Sequence, residues 1–199
     1  MNGPRLINVR GCNGSGKTHL LRSLVGRVPP HVEQYAVKDH KPIPVTYVEL
    51  DLGEGLLAIV GDYSKPGCAG LDRVRTQAAA KEVIEVAAIV KDVRAVLFEG
   101  VLVATIFDPW LQWSRKMGGM TWAFLDTPID VCLARIQARN GGTPIKEEQV
   151  RAKHRTIANV RRKAQLAGER VLDLPWELAE ECLLGDIYGT VLRVSYEGC

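Results

Sequence analysis

The sequence predicts a three-layer α/β domain with a mainly parallel central sheet, and three observations lead there. Short apolar runs suited to buried strands alternate with longer segments of helical periodicity. The first such run is followed at once by a glycine-rich signature and a helix start. The 199 residues, 46% of them hydrophobic, suffice for one substantial core and show neither an internal repeat nor a domain linker, so a single unit over 1–199 is expected. Crossover helices cover both faces of such a sheet, and ligands collect outside the carboxyl ends of its strands.

The elements follow in chain order. Leu6-Ile7-Asn8-Val9 is a strand candidate, and Gly11-Cys12-Asn13-Gly14-Ser15-Gly16-Lys17-Thr18 behind it matches GxxxxGK[ST]. A helix begins after Thr18, so the small residues expose backbone amides to an anion at a positively polarised helix start. Lys17 suits the β- and γ-phosphates of ATP or a related nucleoside triphosphate, and Thr18 offers a hydroxyl oxygen to Mg²⁺. Residues 31–50 are less regular until 45–50, which with 56–60 and the intervening Asp51-Leu-Gly-Glu-Gly55 reads as a hairpin.

The loop over 61–73 holds Gly61, Pro66, Gly67 and Gly70 and is a functional-site candidate ahead of a helix over 74–92, whose Val83, Val86, Ala87 and Val90 form one stripe. Residues 95–98 read as a buried strand ending in Glu99-Gly100, before a partly apolar segment at 101–107. A further strand spans 120–125, followed by a turn at 126–130 and a helix over 131–139. Asn140-Gly-Gly-Thr-Pro144 interrupts the helical pattern. A long helix over 147–166, a strand over 170–173, a helix over 176–184 and an edge strand over 190–195 complete the chain.

Charge is uneven. Residues 135–163 carry nine Lys/Arg against Glu147 and Glu148, a balance of +7, which leaves 17 basic against 21 acidic residues elsewhere, a balance of −4. The whole chain is only +3, so positive potential concentrates where that segment points. Arg135 and Arg139 are four residues apart and share a helical face, a spacing suited to a phosphate clamp as well as to a solvated helix. Arg155 on the following helix is placed to close over a nucleotide.

Three carboxylates are candidates for the chemistry. Glu99, at a strand end, either assists Mg²⁺ directly or through water, orients a substrate, or is a turn carboxylate. Asp62 and Asp72 flank the glycine-rich loop, where either can accept a proton from an attacking hydroxyl. Asp62, directly after a strand, is the first choice, and Asp72 either caps the next helix or binds substrate. Arg73, Arg75 and Lys65 are phosphate-binding or simply exposed. Trp110, Trp113 and Trp122 are expected in the core.

The five cysteines are scattered, with no CxxC pair and no ligand cluster with the four histidines, which fits a reducing setting and no transition-metal site. No signal-like opening or membrane-length apolar run is present, so no membrane partner is expected. Composition names no oligomeric partner.

Taken together, Ile7 to Thr18, Gly61-Asp62-Tyr63, Gly67-Cys-Ala-Gly-Leu-Asp72, Leu97-Phe-Glu-Gly100, Phe124-Leu-Asp-Thr-Pro128 and the Arg135/Arg139 helix resemble bacteriophage P-loop kinases that phosphorylate 5-hydroxymethyluracil within DNA during thymine hypermodification. The resemblance implies a P-loop nucleotide-kinase-like three-layer domain with a helical lid over 135–163. It also implies ATP and Mg²⁺ as cofactors, modified DNA as substrate and action in the host cytoplasm during infection. Carried over residue by residue, it implies nucleotide binding by Gly11, Cys12, Asn13, Gly14, Ser15, Gly16, Lys17 and Thr18, and a part in catalysis for Lys17. Catalytic-loop roles fall on Asp62, Asp72 and Glu99, and clamp roles on Arg135 and Arg139. Gly67-Cys-Ala-Gly70 departs from related loops. A nucleoside or nucleoside-monophosphate kinase, and a nonenzymatic ATP-dependent DNA-binding switch, are the alternative readings.

Overall fold

The computed structural model describes residues 3–26, 31–37, 40–50, 55–64 and 69–189. Its strands are β1 (Arg5–Arg10), β2 (His31–Val37), β3 (His40–Glu49), β4 (Leu56–Val60), β5 (Val93–Glu99), β6 (Thr121–Asp126) and β7 (Arg170–Pro175). Its helices are α1 (Lys17–Val25), α2 (Gln77–Ala88), α3 (Val101–Thr105), α4 (Asp108–Lys116), α5 (Ile129–Arg139), α6 (Glu147–Leu166) and α7 (Ala179–Tyr188), with one 3-10 turn at Leu71–Arg73. The strands form one sheet in the order β2-β3-β4-β5-β1-β6-β7. From β4 to β7 every pairing is parallel, and β2 and β3 add an antiparallel extension beside β4.

Alternation along the strands divides the core into two layers. Ile7, Val9, Ile59, Leu97 and Ala123 face α1 and α7, where Leu20, Leu21, Leu24 and Leu183 meet them. Leu6, Val60, Val96, Phe98 and Trp122 face the opposite way, onto α2, α4 and α6. Removing such a fully buried leucine or isoleucine side chain from water stabilises by about 1.5–3 kcal/mol. The three tryptophans expected in the core are there: Trp110 stacks on Phe98 at 5.6 Å between centroids, Trp113 meets Trp110 edge-on at 5.3 Å, and Trp122 is fully buried.

Several boundaries differ from the sequence expectations for local reasons. The helix expected over 74–92 starts later, because Thr76 Oγ1 accepts the Ala79 N–H at 3.2 Å and caps α2. It ends earlier, at a turn where Asp92 adopts φ 65°. The irregular stretch before residue 45 is regular: β2 pairs with the first half of β3. The apolar segment at 101–107 turns into α3, held at one end by Asp72 and at the other by Arg10. Buried Arg10 donates to the Ala104 and Ile106 carbonyls, both at 3.1 Å, with its guanidinium 4.1 Å above the Trp122 ring. The turn at 51–54 and the edge strand expected over 190–195 lie outside the described residues, as do Lys65, Pro66, Gly67 and Cys68.

This order brings the carboxyl ends of β4, β5, β1 and β6 side by side. The phosphate-loop signature leaves β1, Glu99 closes β5, Gly61-Asp62 follows β4, and Thr127 follows β6.

Candidate active site

Residues 11–18 wrap from β1 into α1. Gly16 caps α1 with no side-chain hydrogen bond, and the first turn holds no acidic residue, so the leading amides remain available to an anion. Gly14 takes φ 80°, and a Cβ there would sit 2.3 Å from the Cys132 carbonyl oxygen, so only glycine lets the loop lie this close to α5. Thr127 Oγ1 donates to the Ser15 carbonyl at 2.8 Å, and Arg135 Nη1 reaches the Gly14 and Ser15 carbonyls at 3.4 Å. The loop is thus held from behind by the segment that the sequence assigns to the lid.

Lys17 is buried, with Nζ donating to the carbonyls of Gly11 (2.8 Å) and Cys12 (3.2 Å) inside the loop. Thr18 Oγ1 donates to Glu99 Oε1 at 3.0 Å. Glu99 is 1% exposed and its Oε2 is buried with no hydrogen-bond partner. Burial pushes this carboxyl up from the usual 4.5 to about 7, against the opposing pull of Lys17.

The glycine-rich loop returns to the sheet at an isolated bridge between Asp62 and Gly70. Gly70 adopts φ 63° and packs so tightly on Glu99 that a Cβ would fall 2.7 Å from the Glu99 carbonyl oxygen. That approach sets Asp72 beside the phosphate loop, where its Oδ1 accepts the Val101 N–H at 2.6 Å.

Two cavities open on this arrangement. One, of about 310 Å³, is lined by Asn13, Gly14, Gly16, Lys17, Thr18, Asp72, Arg135 and Arg139, with His19, Arg22, Ala69 and Val101 at its margins. It therefore unites the phosphate loop, one of the two loop aspartates and both clamp arginines. The second, of about 480 Å³, lies on the other side of Arg135 and is lined by Ser15, Gly16, His19, Leu125, Trp176, Glu177 and Glu180 among others. Arg135 borders both, its guanidinium 4.6 Å over the Trp176 ring.

The remaining sequence candidates lie elsewhere. Asp62 lines neither cavity; its Oδ1 accepts from the Ser64 amide (3.0 Å) and hydroxyl (2.6 Å), and its Oδ2 pairs with Arg73 at 3.3 Å. Arg155 is exposed on α6 and lines neither cavity. Gly11 and Cys12 contribute carbonyls to Lys17. Trp176 and Glu177 were not anticipated, although they directly follow a strand end in an α/β sheet, the place where ligands gather.

A family model described as 5-hmdU DNA kinase matches residues 2–168. The 5-hmdU DNA kinase of Pseudomonas phage M6 is 59% identical over 179 residues, covering 88% of this chain and 93% of that protein. The 5-hmdU DNA kinase of Pseudomonas phage PaMx11 is 28% identical, covering 85% of this chain and 89% of its own length. The 5-hmdU DNA kinase 1 of Salmonella phage ViI is 27% identical over 73% of this chain and 64% of its own.

Proposed function

The chain belongs to the 5-hmdU DNA kinase family, whose reaction is ATP-dependent phosphorylation of 5-hydroxymethyluracil in phage DNA, and from that premise we propose how its residues divide the work. The observation that carries the division is the convergence of Lys17, Thr18, Asp72, Arg135 and Arg139 on one cavity. The adenosine of ATP enters the larger cavity against Trp176 and Arg135, and the triphosphate follows the α1 amides into the smaller one. Lys17 exchanges its two carbonyl partners for β- and γ-phosphate oxygens. Arg135 and Arg139 meet the transferring group, where charge spreads over its equatorial oxygens.

Asp72 takes the acceptor role. It lies in the phosphate-side cavity, where it orients the hydroxymethyl oxygen and accepts its proton as that oxygen attacks the γ-phosphorus and the bond to the bridging oxygen of ADP breaks. Asp62, bound to Arg73 and Ser64, instead fixes the neck of the loop.

The residues fit a divalent cation. Thr18 Oγ1 and the partnerless Glu99 Oε2 are hard oxygen donors at the phosphate end of the cavity, and Mg²⁺ accepts few protein ligands alongside water and phosphate. Bound there, Mg²⁺ neutralises phosphate charge. The α5–α6 segment over 135–163 serves as the basic lid of a kinase unit spanning 1–199. No described helix is long and apolar enough to cross a membrane, in keeping with action on DNA in the host cytoplasm, as a step in thymine hypermodification.

The test uses purified protein, Mg²⁺ and γ-labelled ATP with three acceptors: DNA containing 5-hydroxymethyluracil, matched thymine DNA, and free 5-hydroxymethyl nucleosides. Label entering the modified DNA selectively is the expected result. Label entering only the free nucleosides would overturn the DNA assignment.

A further inference from the structure

Beside the phosphate cavity, and sharing none of its lining, is a third cavity of about 330 Å³ lined by His40, Lys41, Arg73 and Arg75. We propose that this basic cavity binds a phosphodiester of the DNA strand flanking the base to be phosphorylated. The inference rests on the kinase reading above and adds a site to it.

Two elements build the cavity: His40 and Lys41 begin β3, whereas Arg73 and Arg75 leave the 3-10 turn that carries Asp72. His40 fastens one to the other. Its Nδ1 meets the Lys41 carbonyl oxygen at 2.6 Å, and its Nε2 faces the Arg75 N–H at 3.3 Å. The first contact requires a ring N–H and the second a lone pair, so this pattern fits the Nδ1–H tautomer and leaves the binding charge to Lys41, Arg73 and Arg75. Arg73 shares its guanidinium with Asp62 at 3.3 Å, which offsets part of that charge and fixes the fork. All three cationic side chains are exposed.

Position argues for a DNA phosphate. Asp72 and Arg73 are adjacent residues whose side chains line different cavities, one facing the γ-phosphate side and the other this basic site. A nucleoside offers nothing to such a site, but a nucleotide within a strand carries a phosphate on either side. Arginine's planar fork matches phosphate oxygens, and contacts of this kind set register without reading sequence. The site thereby favours a polymer over a free nucleoside.

The double variant Lys41→Gln/Arg75→Gln tests this, since neither residue lines the ATP cavities. Binding to an oligonucleotide with one 5-hydroxymethyluracil, and to its thymine match, is followed by anisotropy from 50 to 200 mM salt, beside steady-state kinetics and thermal unfolding. The expected result is a salt slope reduced by about 1.5, from 0.7–0.9 per lost phosphate contact. KM for DNA rises roughly tenfold, while kcat, the KM for ATP and the unfolding temperature hold. Wild type acting on an oligonucleotide with neutral methylphosphonate linkages beside the acceptor should reproduce the loss, and the variant should show no further loss.

An unchanged slope and KM with transfer to modified DNA intact would overturn the site and spare the kinase reading. A reduced slope with no transfer by wild type would do the opposite. Wild type that binds no DNA would sink both. An equal KM rise on free 5-hydroxymethyldeoxyuridine monophosphate would assign the cavity to a nucleotide and overturn the DNA assignment.

Discussion

Glu99→Gln should stabilise the ligand-free protein, and by an amount that depends on pH. Glu99 is 1% exposed, with its carboxyl raised to about 7 by burial. Below pH 4.5 it is protonated in the folded and unfolded chains alike. Between 4.5 and 7 the unfolded chain releases the proton while the folded chain retains it, so stability falls as pH rises. Above 7 both are ionised and the loss levels off. The span from 4.5 to about 7 corresponds to about 3 kcal/mol, at roughly 1.4 kcal/mol per tenfold.

Glutamine keeps the oxygen that Thr18 contacts but removes the charge, so any fixed change in packing or hydrogen bonding cancels when two pH values are compared. Thermal unfolding of wild type and variant, without nucleotide or divalent cation, should give a Tm gap (variant minus wild type) that widens between pH 4.5 and 8 by about 6–12 °C, as expected for about 3 kcal/mol in a protein of this size. MgATP should narrow the gap at pH 8, because a bound cation favours the ionised carboxylate. A gap independent of pH would refute the claim that Glu99 is held against its charge by burial.

Three further outcomes follow from the site. Lys17→Met should lower kcat by about 10²–10³-fold, the usual loss for one preorganised donor to a developing charge, measured by label transfer from ATP. Asp72→Asn retains an acceptor for the Val101 amide and should lower kcat by about 10²–10⁴-fold, the range for a lost general base, while Asp62→Asn stays within roughly tenfold of wild type; the reverse ranking would return the base to Asp62. Trp176→Ala should raise the KM for ATP about tenfold through lost stacking, with kcat nearly constant, so a fall in kcat alone would remove the adenosine from that cavity.

Local pattern determined much of this protein. The phosphate loop between β1 and α1, the α6 span Glu147–Leu166 and the alternation of strands and helices are written in short-range periodicity and one contiguous motif, which need no distant partner to be recognised. The i, i+4 spacing likewise places Arg135 and Arg139 on one helical face, and the structure sets both against one cavity. Other features needed the tertiary structure. β2 is an edge strand with mostly exposed residues, so its pairing with β3 leaves little hydrophobic signature. The five-residue α3 is held by Asp72 and Arg10, residues 29 and 94 positions away from Val101 and Ala104. The sequence offers Asp62 and Asp72 symmetrically about one loop. Only the close packing of Gly70 on Glu99 turns Asp72 toward the phosphates and leaves Asp62 with Arg73, because which side chains meet is decided by sheet order and backbone approach, neither of which local spacing encodes.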